Sequence, residues 1–423
     1  VHTEQDVIGA GHPDRVLTQA ELTEVLHRGL AALRLDGARV LVIVPDATRS
    51  IPLDQLFDTV YDTLAPQTAA LDVLIALGTH PMMTPLQIAD RFGCPDPAAL
   101  ARRWPGVTFH NHRWDDPATF VELGRITAGE LAELSGGRLV EDVPVRVNRM
   151  VTEYDACLVV GPVFPHEVVG FSGGDKYFFP GVSGPELINV SHWLGALITS
   201  VEIIGTLGIT PVRALIERAA ALIPTRRLTV AVVIGPGGGV QGAYVGPTRP
   251  AWAAAAQLSA QVNIRYLDEP VRRVVSVMPL MYDDIWTAAK GMYKLEPVVA
   301  DGGELIIYAP HVRTFSITHD RHIRQVGYHC RDYFLADPAR FADVPRGVLA
   351  HSTHLRGAGS YDPATGRESG RITVTLATAI PAQECRAANL SYRDPAGLDL
   401  TALTADPETL VVPRAGELLY RLR

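Results

Sequence analysis

An α/β fold with a mostly parallel sheet is what the amino-acid sequence predicts, and three observations predict it. Apolar runs such as ARVLVIVP (38–45) and LDVLIA (71–76) are continuous rather than alternating, as in strands buried on both faces. Segments with helical spacing, LDQLFDTVYDTLAP (53–66) and PLQIADRFG (85–93), come between and after them. At 423 residues the chain is too long for one average domain, and a second strand–helix–strand unit begins near residue 268. The expected organisation is an α/β cofactor-binding and catalytic domain over 1–267. A second α/β domain over 268–423 would close over the substrate, with the active site in the interdomain cleft and the last residues packing back on the first domain.

Taken in order, residues 1–20 show no clear pattern and are expected to form an arm. The run at 38–50 reads as a strand that stops at Pro45-Asp46, and the run at 71–80 ends in Gly78, Thr79 and His80. VTFHNH (107–112) is a third strand, and VPVRVNRMV (143–151) and DACLVVGPV (155–163) add further ones. HWLGALI (192–198) starts a helix and PVRALIERAAALI (211–223) is another. LTVAVVIGPGGGVQGAYVG (228–246) places a glycine cluster between two strand-like segments, which suits a hairpin better than a phosphate loop leading into a helix. RPAWAAAAQLSAQV (249–262) is helical; in the second unit RVVSVMP (273–279), DIWTAAKGMYKLEPVV (284–299) and ELIIYAP (304–310) read as strand, helix and strand, with ITVTLATAI (372–380) a later strand-like piece.

Apolar residues at 47% and charged residues at 20% describe a protein with ample core. The 38 basic and 46 acidic residues give a net charge of −8 with no basic block, which argues against nucleic acid as a partner. No apolar run approaches the roughly 18 residues needed to cross a bilayer, and VHTEQDVIGAGHPDRV lacks the layout of a signal peptide. Cys94, Cys157, Cys330 and Cys385 are far apart, which disfavours a disulfide framework and a thiolate zinc site. A cytoplasmic location is expected.

Chemistry concentrates in FPHEVVGFSGGDKYFFPGVSGPELINVSHWLG (164–195), too rich in glycine for a core segment and too aromatic for a solvated linker. His166 follows a strand, as His80 does, and two histidines from different strand ends could move protons on either side of one centre. Lys176 follows Gly173-Gly174; a lysine in an apolar cleft can form a covalent link, and the glycines would let backbone N–H groups approach a phosphate. His192 could ligate a metal, while Arg49 beside Asp46 and Thr48 could grip a carboxylate. Each has a bland alternative: a helix-capping histidine, a surface lysine, an internal Asp–Arg pair. The pairs His319/His322 and His351/His354, the HNH run at 110–112 and His329-Cys330 lack nearby acidic ligands and read as chance spacings.

Together D-x-T-R (46–49), G-T-H (78–80), H-x-x-x-G-F-S-G-G-x-K (166–176), P-G-V-S (180–183) and His192 resemble the lactate racemase family, with a weaker match reaching Lys290 and Gly291. The resemblance implies a nickel-dependent 2-hydroxyacid racemase or epimerase working through a 2-keto acid. Its cofactor would be the nickel-pincer nucleotide, a pyridinium-3-thioamide-5-thiocarboxylic acid mononucleotide attached covalently at Lys176, with His192 on the nickel. By the same resemblance Asp46, Thr48, Ser172, Gly173 and Gly174 would lie by the cofactor, and His80 and His166 would be the acid and base. Arg49, Lys290, Trp286 and Thr287 would hold the substrate. Cofactor-making enzymes would be needed for loading.

Ser50 stands where lactate racemases tend to have proline, and Pro81 where they have arginine. Trp286-Thr287-Ala288-Ala289-Lys290 replaces their Tyr-Gln-x-x-Lys. These departures point to a 2-hydroxy acid other than lactate, and a larger one. The competing readings are a zinc-type hydrolase or lyase, which needs a third close ligand, and a non-catalytic cofactor binder, which needs neither His80 nor His166.

Overall fold

The computed structural model describes residues 7–423. The chain divides into two compact units. One comprises the residues through Phe164 together with Phe171–Ile188 and Leu207–Val262, and the other Pro165–Gly170, Asn189–Thr206 and Asn263–Arg423.

The first unit is built on a seven-stranded sheet in the order Ile8–Gly11, Val240–Pro247, Arg226–Ile234, Ala156–Pro162, Arg39–Pro45, Ala70–Ala76, Phe109–Asn111. The last five run parallel, and Val240–Pro247 is antiparallel to its neighbours on both sides. Val40, Leu41, Val42, Ile43 and Val44 are all fully buried, so both faces of their strand are covered, as the unbroken apolar run requires. The helix Leu53–Leu64 turns Leu53, Leu56, Phe57, Val60 and Leu64 inward at helical spacing. From Arg39–Pro45 the chain builds outward through Ala70–Ala76 and Phe109–Asn111, then returns to the other side with Ala156–Pro162. The order therefore reverses between Arg39–Pro45 and Ala156–Pro162, the place where α/β sheets part their loops and receive ligands.

The second unit has a five-stranded sheet in the order Ser391–Tyr392, Thr373–Thr378, Val299–Ala309, Val271–Val277, Thr409–Val412, paired in parallel throughout. The expected hairpin at 228–246 is present, closed by Gly235 N–H donating to Gly239 O at 2.9 Å.

Four expectations need correction. Residues 8–11 are not an arm but an edge strand on Val240–Pro247; residues 1–6 of that expected arm lie outside the described residues. Val143–Asn148 does not join the main sheet: it pairs antiparallel with Phe120–Ile126 in a separate ribbon, where a bulge at Glu122/Gly124 breaks the alternation that would have marked the partner. The helix carrying His192 begins at Pro185, because proline suits a first helical turn; His192 lies in its second half rather than opening it. The segment 284–299 is three short pieces, Ile285–Ala288, Lys290–Tyr293 and a 3-10 turn at Glu296–Val298. Pro297 at the end of that segment supplies no backbone N–H to continue a helix.

Candidate active site

Three adjacent parallel strands of the first unit deliver the expected residues at their carboxyl ends. After Pro45 the chain turns at Asp46, whose Oδ1 accepts from Thr48 N–H at 3.0 Å and from Thr48 Oγ1 at 2.7 Å. Arg49 Nη1 donates back to Thr48 O at 3.1 Å, and Arg91 Nη2 holds Arg49 O at 3.1 Å. The other Asp46 oxygen, Oδ2, lies 2.5 Å from Nδ1 of His80, at the end of the neighbouring strand. Burial alone would raise the Asp46 carboxyl; the charge and hydrogen bond of His80, with Arg49 and Thr48, hold it well below the ordinary carboxylate range. Trp114 Nε1 fixes the other side of the turn by donating to His80 O at 2.8 Å.

The third strand, Ala156–Pro162, leads into the glycine loop. Ser172 N–H donates to Phe164 O at 2.8 Å and Phe164 N–H to Ser172 Oγ at 2.9 Å, so that hydroxyl closes the loop on itself. Gly173 and Gly174 have φ of +84° and +62°, and a Cβ on Gly174 would lie 3.0 Å from Trp252. From Phe171 to Pro180 every residue is buried except Lys176, which is half-buried. Asp175 beside it pairs with Arg227 at 2.6 Å.

Tyr177 packs over Gly161, where a Cβ would meet its hydroxyl at 2.0 Å. Its phenol is pushed up by burial and feels the charges of Arg49, Arg91 and Asp46, so the lysine loop and the Asp46–Arg49 corner are neighbours. Gly78 N–H donates to Gly181 O at 2.9 Å, stitching the His80 turn to the end of the same loop. Tyr177, Arg91 and Trp114 were not found from sequence. Each acts across the sheet through contacts that spacing along the chain does not encode.

The remaining expected residues belong to the second unit. His166 is buried and its Nδ1 accepts from Val168 N–H at 3.1 Å, with Glu167 Oε2 at 3.3 Å from the same nitrogen. His192 is half-buried, with Ser191 Oγ 3.4 Å from its Nδ1. Thr287 donates its hydroxyl to Asp284 Oδ1 at 2.7 Å, and Asp284 Oδ2 accepts from Ile317 N–H at 2.9 Å, joining two loops. Trp286 stacks on His351 at 4.1 Å and tilts against His319 at 4.6 Å. Lys290 Nζ lies 4.5 Å from the centre of the Tyr282 ring. His351, set aside as a chance spacing in the sequence, is close enough to His192, His319 and His354 for their charges to lower its pKa further, after burial has already pushed it well below the ordinary value.

Among the described residues no three His, Cys, Asp or Glu side chains group as a metal site. No helix among them is long and apolar enough to cross a membrane.

Comparison with known proteins adds to this geometry. The lactate racemase N-terminal domain matches residues 14–203. A lactate racemase from Thermoanaerobacterium thermosaccharolyticum is 25% identical over 276 residues, which is 64% of this chain and 59% of that enzyme's length. The apoprotein structure of lactate racemase from the same organism has a TM-score of 0.70 at 19% identity, covering 95% of this chain and 93% of that one, a likeness of fold. Residues 14–203 therefore carry a lactate racemase N-terminal domain. A crystal structure of a Thermotoga maritima protein is nearer, with a TM-score of 0.88 and 34% identity over 98% of this chain and all of that one. Within the lactate racemase match fall Asp46, Arg49, His80, His166, Lys176 and His192; Trp286 and Lys290 lie beyond it.

Proposed function

We propose that the protein is a racemase or epimerase that inverts the C2 centre of a 2-hydroxy acid larger than lactate, with a nickel-pincer nucleotide tethered to Lys176. The observation that carries this reading is the chain's use of lysine. Of its 38 basic residues 35 are arginine, and the three lysines are Lys176, Lys290 and Lys294. Two of these three lysines stand at the positions where an amine is called for, one to form a covalent link and one to meet a substrate, while Lys294 donates to Glu417 O.

The residues fit such a group. Lys176 is the one half-buried side chain in an otherwise buried stretch, on a loop whose glycines leave no Cβ between it and Trp252. The lack of a three-ligand cluster among the described residues favours a metal that arrives with most of its ligands, His192 adding one, over a zinc centre built by the protein. When bound, the group would supply an acceptor that takes the C2 hydride and returns it to either face.

The chain's own residues would do the rest. Arg49 would grip the substrate carboxylate through its fork of donors, with Lys290 as a second cation. Nδ1–H of His80 points to Asp46, so Nε2 is left with a lone pair to accept the hydroxyl proton, and the carboxylate stabilises the imidazolium that forms. His166 has its Nδ1 engaged by Val168 N–H at 3.1 Å and near Glu167 Oε2 at 3.3 Å, which would leave Nε2 as the nitrogen to face the substrate. Each histidine would thus present Nε2 for the removal and return of the hydroxyl proton. Trp286 and Thr287 would shape the side-chain end of the substrate, and the cytoplasm, where cofactor-making enzymes would load the chain, would be its location.

The test is chiral analysis of single enantiomers of 2-hydroxy acids incubated with loaded protein in deuterated water. Inversion without deuterium at C2 is the expected result, because the hydride returns without meeting solvent. Deuterium at C2 would point to proton abstraction instead, and absence of inversion across the panel would overturn the reading.

A further inference from the structure

Arg213 is buried to 1% exposure at the start of the helix Pro211–Ala220. Among the described residues no carboxylate forms an ion pair with it, and its Nε has no hydrogen-bond partner. Instead its guanidinium donates to Gly173 O at 3.1 Å and to Phe171 O, and lies 4.0 Å from the centre of the Trp252 ring. Trp252 Nε1 in turn donates to Ser172 O at 2.8 Å. Two stacked side chains therefore take the carbonyls of three consecutive residues, Phe171, Ser172 and Gly173.

Burying a guanidinium without a carboxylate in direct contact is unfavourable, and burial pushes the Arg213 pKa down to about 10 although the charges of Asp175 and Glu217 oppose the shift. A loop that needed only packing would be served by an apolar side chain. What the fork adds is direction, since a planar guanidinium can hold two carbonyls at once in a fixed relation. In trans peptides the N–H lies opposite the C=O, so fixing these three carbonyls also sets the peptide planes that run into Gly173 and Gly174. The next turn, Gly174–Tyr177, starts from those planes and carries Lys176.

We propose that Arg213 and Trp252 are positioning residues for Lys176, a clamp that sets the Phe171–Gly174 backbone so that the lysine amine is presented in one orientation for attachment. The inference rests on the reading of Lys176 as a tether, and the test separates the two. Trp252→Phe keeps the ring and removes only the N–H; Arg213→Gln removes the fork and Arg213→Lys keeps the charge but can reach one carbonyl at a time.

In the unloaded chain, hydrogen exchange of the peptide spanning 171–178 should rise about tenfold or more in Trp252→Phe, with the first sheet unchanged. Acylation of Lys176 by an N-hydroxysuccinimide ester, measured against Lys290 by peptide mass spectrometry, should shift several-fold; three lysines make the comparison clean. After co-expression with the cofactor-making enzymes, the fraction of chains with an adduct should fall about fivefold in Trp252→Phe at unchanged melting temperature. Arg213→Lys should load better than Arg213→Gln. Wild-type exchange and labelling in Trp252→Phe would overturn the clamp, as would a loosened loop that loads fully. A wild-type chain that acquires no adduct would remove the tether reading, and the labelling of Lys176 would still decide the clamp.

Discussion

His80 in the first unit and the pair His351 and His354 in the second are kept on opposite terms. In the first, His80 stands beside a buried carboxylate at 2.5 Å, and that carboxylate is itself held by Thr48. In the second, His351 and His354 are buried; burial lowers both, His351 well below the ordinary range and His354 to about 4 although the charge of Glu167 opposes the shift. Nε2 of His354 has no hydrogen-bond partner among the described residues, and His351 has the Tyr328 hydroxyl at 3.4 Å. A histidine whose Nδ1 faces a carboxylate is held in one orientation, with Nε2 left to accept a proton. One walled in by Trp286, Tyr328 and other histidines stays neutral and acts as polar packing.

The largest expected effect separates these roles in catalysis. His80→Ala in loaded enzyme should lower kcat by about 10² to 10⁴ while leaving the Lys176 adduct in place, the usual range for losing a general base. His354→Gln should change kcat little; an equal loss in both variants would erase the distinction. Asp46→Asn should fall between wild type and His80→Ala, because the imidazole would keep its place but lose the charge that stabilises its protonated form. A full wild-type rate in that variant would reduce the 2.5 Å contact to a structural one.

The next effect is on stability and tests the second unit. His354 binds its proton at about pH 4 when folded and near 6.5 when unfolded, so the unfolded chain takes up protons first as pH falls. Its stabilising contribution is complete above pH 6.5 and declines below it, by about 2 kcal/mol between pH 7 and pH 5. Calorimetry of His354→Leu across that range should show a flatter pH dependence than wild type.

Asp46 gives a smaller effect with a lower window. Its folded pKa is depressed, so what it contributes is complete above the ordinary carboxyl range near pH 4 and is lost as pH falls further. The stability gap between wild type and Asp46→Asn should therefore be constant from pH 7 to pH 5 and close below pH 4. A gap that closes near pH 6 would assign the titration to a histidine.

Much of the first unit was legible in the sequence because a parallel sheet makes one-dimensional signals reliable. Unbroken runs such as 40–44 mark strands buried on both faces, and the residues just after them, Asp46, Arg49 and His80, necessarily fall at one edge. The ribbon of Phe120–Ile126 with Val143–Asn148 escaped notice because its bulge breaks the period. Arg213 and Trp252 escaped for a different reason. They serve the lysine loop from 40 and 80 residues further along the chain, and nothing local distinguishes a buried arginine from a solvated one. The separation of His80 from His351 was hidden in the same way, since spacing records neither burial nor the nearest carboxylate. Lysine scarcity is a signal present in composition, and it narrows the candidates to Lys176, Lys290 and Lys294 without any structure.

The central claim is that Lys176 carries the cofactor. Intact mass of the chain after co-expression with cofactor-making enzymes, followed by peptide mapping, tests it most directly. The expected result is one adduct located on Lys176 and absent from Lys176→Arg. An unmodified chain, or an adduct on Lys290 or Lys294, would contradict it.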